Sequence, residues 1–421
     1  MPDALLVVVD LVLVVVAARC GGALAVRFGE PRIAGEMIGA IIVGPTVLGG
    51  QIAGVVDGAA ASGATGALFP GAGVEVLTAI GAVGLILYML LVGMTIDPAP
   101  MARRAGTILL LAGTLAASAC VVALGAASWL GSVEGWRGPD ASNAAFLLAL
   151  SAALAAQGVP IAARILEERG LMCTTLGGVI IAVGACVTTL ALVISGVAIR
   201  GGDRAAVAEL ALVVAAGAIV VAVAAPLGRS RWMRLGPRLA VAALLVIALG
   251  AGLGGKALLG TVLIGPLVVG IAVRNAGFSA VFLEARLGSL VRGVLLPVFL
   301  GVAALHTNLR ELLNGDALPQ ALALLAAIVV VKTGAGIAGA RTLGFAPREA
   351  RAMGALLQCG GVMTIAISLD LLDAGIFTPR THALMTLVGV VTTLIAGPLL
   401  ARSGVRAPGR ATMPAAVLSD S

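Results

Sequence analysis

The sequence predicts an all-α polytopic membrane protein of about 13 transmembrane helices. Three observations carry this: an extreme apolar composition, apolar stretches of spanning length along the whole chain, and a one-sided distribution of arginine between them. Sixty per cent of the 421 residues are hydrophobic and 11% are charged, with mean hydropathy +1.13. Soluble domains carry roughly 45–50% apolar and about 25% charged residues. A spanning helix needs about 20 mostly apolar residues, and such stretches are read at about 4–26, 34–50, 76–96, 106–130, 144–166, 175–199, 208–226, 238–254, 257–273, 289–306, 319–341, 350–371 and 381–401.

In order, span 1 has no basic leader and no small-residue cleavage pattern, so it reads as a retained span rather than a signal peptide. Span 2 begins at Ala34 and carries Glu36 at its cytoplasmic end, where a cap or gate role is expected. Near the end of span 4 stands Trp129, which with Trp136 is expected at the outer interface. Spans 5 and 12 are interrupted, as described below. Spans 8 and 9 are joined by a turn holding Lys256 near the outer surface, and span 11 carries Lys332 in mid-membrane. The two histidines, His306 and His382, fall at span ends and read as interfacial. Asp370 and Asp373 close span 12 facing outer water, Asp370 being available as a vestibule anion, and Asp10 reads as a packing residue of span 1. The Gly-, Pro- and Ser-containing stretch 403–421 reads as a disordered cytoplasmic tail.

Orientation follows from the basic residues in alternate connections. With the N-terminus outside, Arg137, Arg200, Arg204, Arg310 and Arg380 lie outside, and the other nineteen arginines of the connections lie inside. The expectation is a multi-pass protein of the cell (inner or plasma) membrane with a cytoplasmic C-terminus. A net charge of +7 does not imply nucleic acid, because the basic residues are scattered singly and aromatics are 3%. Cys20, Cys120, Cys173, Cys186 and Cys359 show no paired spacing, so neither a disulfide nor a metal site is indicated. No cofactor motif and no catalytic constellation appears, and the chain reads as no enzyme.

Span 5 contains Gln157-Gly158-Val159-Pro160, where a proline without a backbone donor follows a glycine in mid-membrane. Span 12 contains Gln358-Cys359-Gly360-Gly361 at comparable depth. The two spans run in opposite directions, so the interruptions sit in corresponding places of two inverted halves, the pattern of a transporter with a midplane site.

Several blocks then resemble cation:proton antiporters of the Kef-type and sodium/proton exchanger group. Gly29-Glu30-Pro31-Arg32-Ile33-Ala34-Gly35-Glu36 leads into Gly44-Pro45-Thr46-Val47-Leu48-Gly49, Leu91-Val92-Gly93-Met94 closes span 3, and Gly158 to Leu166 matches a broken helix ending Arg-Ile-Leu. Pro297 to Val302, Lys332-Thr333-Gly334, Gly375 to Pro379 and Val391 to Pro398 complete the set in family order. The resemblance implies an inverted-repeat antiporter fold with two broken crossing helices over residues 1–402. It also implies a dimerisation layer of roughly spans 1–3 and 8–10, a core of roughly spans 4–6 and 11–13, and a homodimer in the lipid bilayer.

By the same resemblance, the ion site is completed by aspartates in span 6, where this chain has Gly184-Ala185-Cys186. The second broken helix usually carries an Arg-Gly step and then a glutamate, where this chain has Gly360-Gly361 and Thr364. The lysine of span 11 is kept as Lys332. A carboxylate lets a proton and a cation compete for one seat. Without it, a cation would lean on neutral oxygens from Gln157, Thr188, Thr189 and Thr364 and on carbonyls freed at the breaks.

A lysine at the bilayer centre costs about 2.5–3.5 kcal/mol on insertion scales, so its retention asks for a reason. Lys332 carries the proton itself, or holds an anionic or polar organic solute together with the helix N-termini, or only bonds nearby carbonyls. The expected function is secondary active transport by alternating access, with proton and monovalent cation as family-level substrates and a degenerate acidic site. The alternatives are proton-linked or facilitated transport of an organic solute, and a transport-dead homologue that binds a partner.

Overall fold

The computed structural model describes residues 2–44, 71–95, 104–201 apart from 132, 134, 140 and 173, then 237–259, 262–276, 280–313 and 317–405. Span 7, the end of span 2 from Pro45 to Gly49, Cys173 and the tail beyond residue 405 lie outside the described residues. Helices occupy the other predicted spans. In chain order they are α1 (Pro2–Arg27), α2 (Arg32–Val43), α3 (Gly71–Thr95), α4 (Ala105–Leu130), α5 (Asn143–Ala155), α6 (Val159–Glu168) and α7 (Thr175–Ile199). They continue as α8 (Pro237–Leu259), α9 (Ile264–Asn275), α10 (Leu296–Leu305), α11 (Ala317–Thr342), α12 (Pro347–Leu357), α13 (Gly361–Asp373) and α14 (Pro379–Ser403). Among the described residues, eight helices are long and apolar enough to cross a membrane.

An all-helical answer is what a bilayer demands, since backbone groups in hydrocarbon must be paired within their own segment. The ends are fixed by local signals. Ser142, Thr174 and Thr378 cap α5, α7 and α14, their hydroxyls accepting from Ala145, Gly177 and Thr381 backbone N–H groups at 3.0, 3.1 and 3.2 Å. Before α10 the chain runs through the short helix Ala280–Leu283 and two π turns, Glu284–Gly288 and Val291–Leu295. The second π turn ends two residues before Pro297, whose missing N–H and ring prevent regular α bonding to the turn before it.

Packing divides the helices into two groups. In one, α1, α2, α3, α8, α9 and α10 lie against one another, and in the other, α4, α5, α6, α7, α11, α12, α13 and α14 do so. The groups meet where α2 touches α14, α10 touches α13, and α7 touches α8 and α9. In the first group small residues let backbones approach closely: a Cβ on Gly21 of α1 would collide with the carbonyl of Gly35 in α2. Glu36, 4% exposed, accepts from Arg19 Nη1 at 3.2 Å and Arg32 Nε at 3.1 Å, so it ties α1 to the start of α2. Valines and leucines such as Val12, Leu109, Val121, Val246 and Val330 point outward, as a lipid-facing surface requires.

Three local expectations are corrected. Lys256 is not in a turn, because α8 continues past it to Leu259 and the side chain sits exposed in the last helical turn. Trp136 is fully buried rather than interfacial, its indole N–H donating to Gln320 Oε1 at 2.8 Å while the Arg380 guanidinium lies 5.8 Å from its ring centre. His382 is also fully buried, at 0% exposure. Both residues stand beside span ends, and what buries them is a loop or helix distant in sequence that closes over them.

Candidate functional site

The two predicted interruptions meet. α5 ends at Ala155, the backbone is unwound through residues 156–158, and α6 starts at Val159 with Pro160 in its first turn. The sequence placed the break at Gly158–Pro160; it lies slightly earlier because proline fits the first helical turn, where its absent N–H would be unpaired anyway. In the second half α12 ends at Leu357, Gln358 to Gly360 are unwound, and α13 starts at Gly361. Gly158 N–H donates to the Cys359 carbonyl at 2.7 Å, joining one break to the other. Gly361 takes φ +57°, the left-handed region that disfavours a side chain, and a Cβ there would strike Ile161 Cδ1.

Unwound backbone in an apolar layer needs partners, and both halves supply them alike. The Gln157 N–H donates to Thr188 Oγ1 at 3.2 Å, and the same hydroxyl donates to the Gln157 carbonyl at 3.1 Å. The Gly360 N–H donates to Thr392 Oγ1 at 3.2 Å. Thr188 lies thirteen residues into α7, counted from Thr175, and Thr392 thirteen into α14, counted from Pro379. Each belongs to a Val-Thr-Thr-Leu run, at 187–190 and 391–394. That internal repeat was legible in the sequence and would have added Thr392 and Thr393 to the site. Thr393 Oγ1 lies 3.6 Å from Cys359 Sγ.

Lys332 of α11 is 2% exposed, and its Nζ donates to the Leu154 carbonyl at 2.9 Å and the Ala156 carbonyl at 3.1 Å. It thus occupies the negative end of the α5 half-helix, satisfying carbonyls that the break sets free. Gln358 does the corresponding work in its own half, its Nε2 donating to the Thr392 carbonyl at 2.9 Å and the Ala355 carbonyl at 3.3 Å. Gln157 is different. Both its Oε1 and its Nε2 are buried without a hydrogen-bond partner, as is Gln358 Oε1.

The remaining predicted residues divide between the crossing and its surroundings. Gly184 lies against it, where a Cβ would come 3.1 Å from Val159 Cγ2 and 3.8 Å from Gln157 Cβ. Ala185 is buried beside it in sequence. Thr364 reaches over Gly360, whose Cβ would collide with its hydroxyl. Cys186 and Thr189 sit on a partly exposed side of α7, and the Thr189 hydroxyl donates to the Ala185 carbonyl of its own helix at 2.9 Å. Glu36 belongs to the α1–α2 ion cluster and Asp370 to the half-buried last turn of α13. Among the described residues the buried acids are Asp10 and Glu36, both in the other helix group.

The chain is similar to known proteins over nearly its whole length. The family model described as sodium/hydrogen exchanger, transmembrane, matches residues 12–403. The chain is 26% identical over 409 residues to cation/H(+) antiporter 18 of Arabidopsis thaliana, a match covering 94% of this chain and 48% of that protein. It is 25% identical over 413 residues to the Na(+)/H(+) antiporter NhaS4 of Synechocystis sp., covering 94% and 97%. The chain therefore spans about half the length of the plant relatives it matches. In fold it is similar to the sodium proton antiporter MjNhaP1 of Methanocaldococcus jannaschii, with TM-score 0.63, 14% identity, and 96% of this chain and 100% of that one covered.

Proposed function

The chain belongs to the sodium/hydrogen exchanger family, and from that premise we propose that it is a proton-coupled secondary transporter in which Lys332 takes over the work of the missing carboxylate. The observation that carries this reading is the seat of Lys332: a buried ammonium held by the Leu154 and Ala156 carbonyls of the first break. In an acid-bearing site the proton and the cation compete for a carboxylate. Here they compete for the carbonyl oxygens. A protonated Lys332 fills that seat with its own charge and repels a second cation; on losing its proton the amine releases its hold, and a monovalent cation fits the same oxygens. The charge at the crossing is equal in the two states, so the exchange is electroneutral. Metal-cation exchange of this kind is weak beside that of a carboxylate site, because neutral oxygens offer the ion no counter-charge.

In this reading the group α4–α7 and α11–α14 moves as the core against α1–α3 and α8–α10, which forms the dimerisation layer of a homodimer. The N-terminus is outside, the C-terminus is cytoplasmic, and the membrane is the cell membrane. The test is proton flux in proteoliposomes against a panel of monovalent cations. Robust sodium- or potassium-driven flux that is indifferent to Lys332→Gln would overturn it.

A second reading rests on Gln157, whose buried amide has both a donor and an acceptor without partners. A polar organic solute that donates and accepts hydrogen bonds matches that pair, whereas a metal ion uses only the oxygen. Proton flux evoked by polar solutes and by no metal cation favours this reading.

A further inference from the structure

We infer that Thr307, His382 and Ser368 form a latch between the two helix groups, closed in this structure, which must open whenever the core moves. The inference rests on the alternating-access reading and adds the gate residues that reading leaves unnamed.

Thr307 stands two residues beyond α10 and is fixed to it twice, its N–H donating to the Ala304 carbonyl at 3.0 Å and its hydroxyl to the Ala303 carbonyl at 2.7 Å. These bonds hold it to the end of α10, while the turn Leu309–Leu313 that follows packs against α14 and α11 of the other group. His382 lies in the first turns of α14, in the other group, at 0% exposure. Its Nε2 is 3.0 Å from Thr307 Oγ1 and 3.4 Å from the Ala303 carbonyl, and its Nδ1 is 2.9 Å from Ser368 Oγ on α13. The Thr307 and Ser368 hydroxyls also donate to carbonyls of their own segments, Ala303 at 2.7 Å and Ile365 at 2.9 Å, so each links the His382 ring to its helix. Thr386 Oγ1, one turn further along α14, is 3.3 Å from Thr307 Oγ1.

The surroundings give the cluster its leverage. Toward the crossing, the boundary between the groups is a mainly apolar cleft lined by Met37, Ile41, Leu300, Ala304, Ile365 and Thr386. Apolar faces slide without directional bonds, so a polar cluster at one end supplies the stop. By helical rise His382 stands about 15 Å along α14 from Thr392 and the breaks. The latch is thus remote from the cargo seat and sits at the end of the layer where α10 finishes and α14 begins. When the groups part, Thr307 leaves His382, and polar atoms buried in an apolar layer lose their partners until water reaches them.

The experiment labels Ala304→Cys with a membrane-impermeant maleimide in proteoliposomes, after subtracting the labelling of protein lacking that change. Adding Thr307→Val, which removes the hydroxyl and keeps the shape, should raise the labelling rate about tenfold. Thr307→Ser should restore the parent rate. Equal rates for the Val and Ser variants would overturn the latch. So would an equal acceleration at native Cys359, which lies among the core helices and reports general loosening. Should Thr307→Val fail to fold, Ser368→Ala frees the His382 ring and should raise the rate about threefold; a rate equal to the parent overturns the proposal. Labelling needs no transported ion, so failure of cation-dependent flux leaves this result readable.

Discussion

Replacing Lys332 with glutamine removes the charge while leaving an amide that still reaches toward the break. The magnitude follows from the seat. Nζ is 2.9 and 3.1 Å from the Leu154 and Ala156 carbonyl oxygens, and a cation gripping the far side of those oxygens stands about 6 Å from Nζ. At an effective dielectric of about 20, two unit charges at that distance repel by about 3 kcal/mol, roughly a hundredfold in affinity. Lys332→Gln should therefore tighten sodium or potassium binding about a hundredfold, read by isothermal titration of the purified protein. The sign with pH is fixed as well. In the parent, cation affinity rises with pH, because deprotonation of Lys332 removes the like charge; in the variant it is flat. Proton flux driven by a cation gradient should be lost in the variant, since the exchanged proton has no carrier. A change in affinity smaller than about threefold, or an unaltered pH dependence, refutes the argument that Lys332 and the cation share one seat.

Three further outcomes are expected. Ala185→Asp should create or strengthen cation-dependent proton flux by giving Lys332 an acidic partner, and combining it with Lys332→Gln should shift the pH at which flux is half-maximal, measured with a pH-sensitive dye in proteoliposomes. Thr188→Val should lower stability by about 1–3 kcal/mol, because it strands the buried N–H and carbonyl of Gln157; Thr188→Ser should keep most of it, as read by thermal melting in detergent. Mass measurement in lipid nanodiscs should find two copies of the chain per particle, and a stable monomer would count against the dimerisation layer proposed for α1–α3 and α8–α10.

Much of the architecture was written in local signals. Apolar length located the spans, and Gly158 and Gly360-Gly361 located the interruptions to within two residues. Lys332 was marked by the family resemblance, as the lysine kept in span 11. The recurring Val-Thr-Thr-Leu runs were equally legible, and they mark Thr188 and Thr392 as the caps of the two breaks. These features depend on what hydrocarbon permits within one segment: helix length, a missing donor, a residue without Cβ.

Residues whose surroundings come from distant segments were not legible. Trp136 and His382 stand near helix ends, where amphipathic side chains ordinarily meet headgroups; Gln320 meets the first, and Thr307 with Ser368 meets the second. Likewise the sequence could say that Lys332 is buried, but not that Leu154 and Ala156, 178 and 176 residues away, supply the carbonyls that hold it. Hydropathy and helix-breaking residues act over a turn or two of chain and so determine which segments cross the membrane and where they unwind. Which polar atom finds which partner is decided only when the two inverted halves cross, because in an apolar layer each freed carbonyl or N–H takes whatever donor or acceptor the opposite half brings within reach.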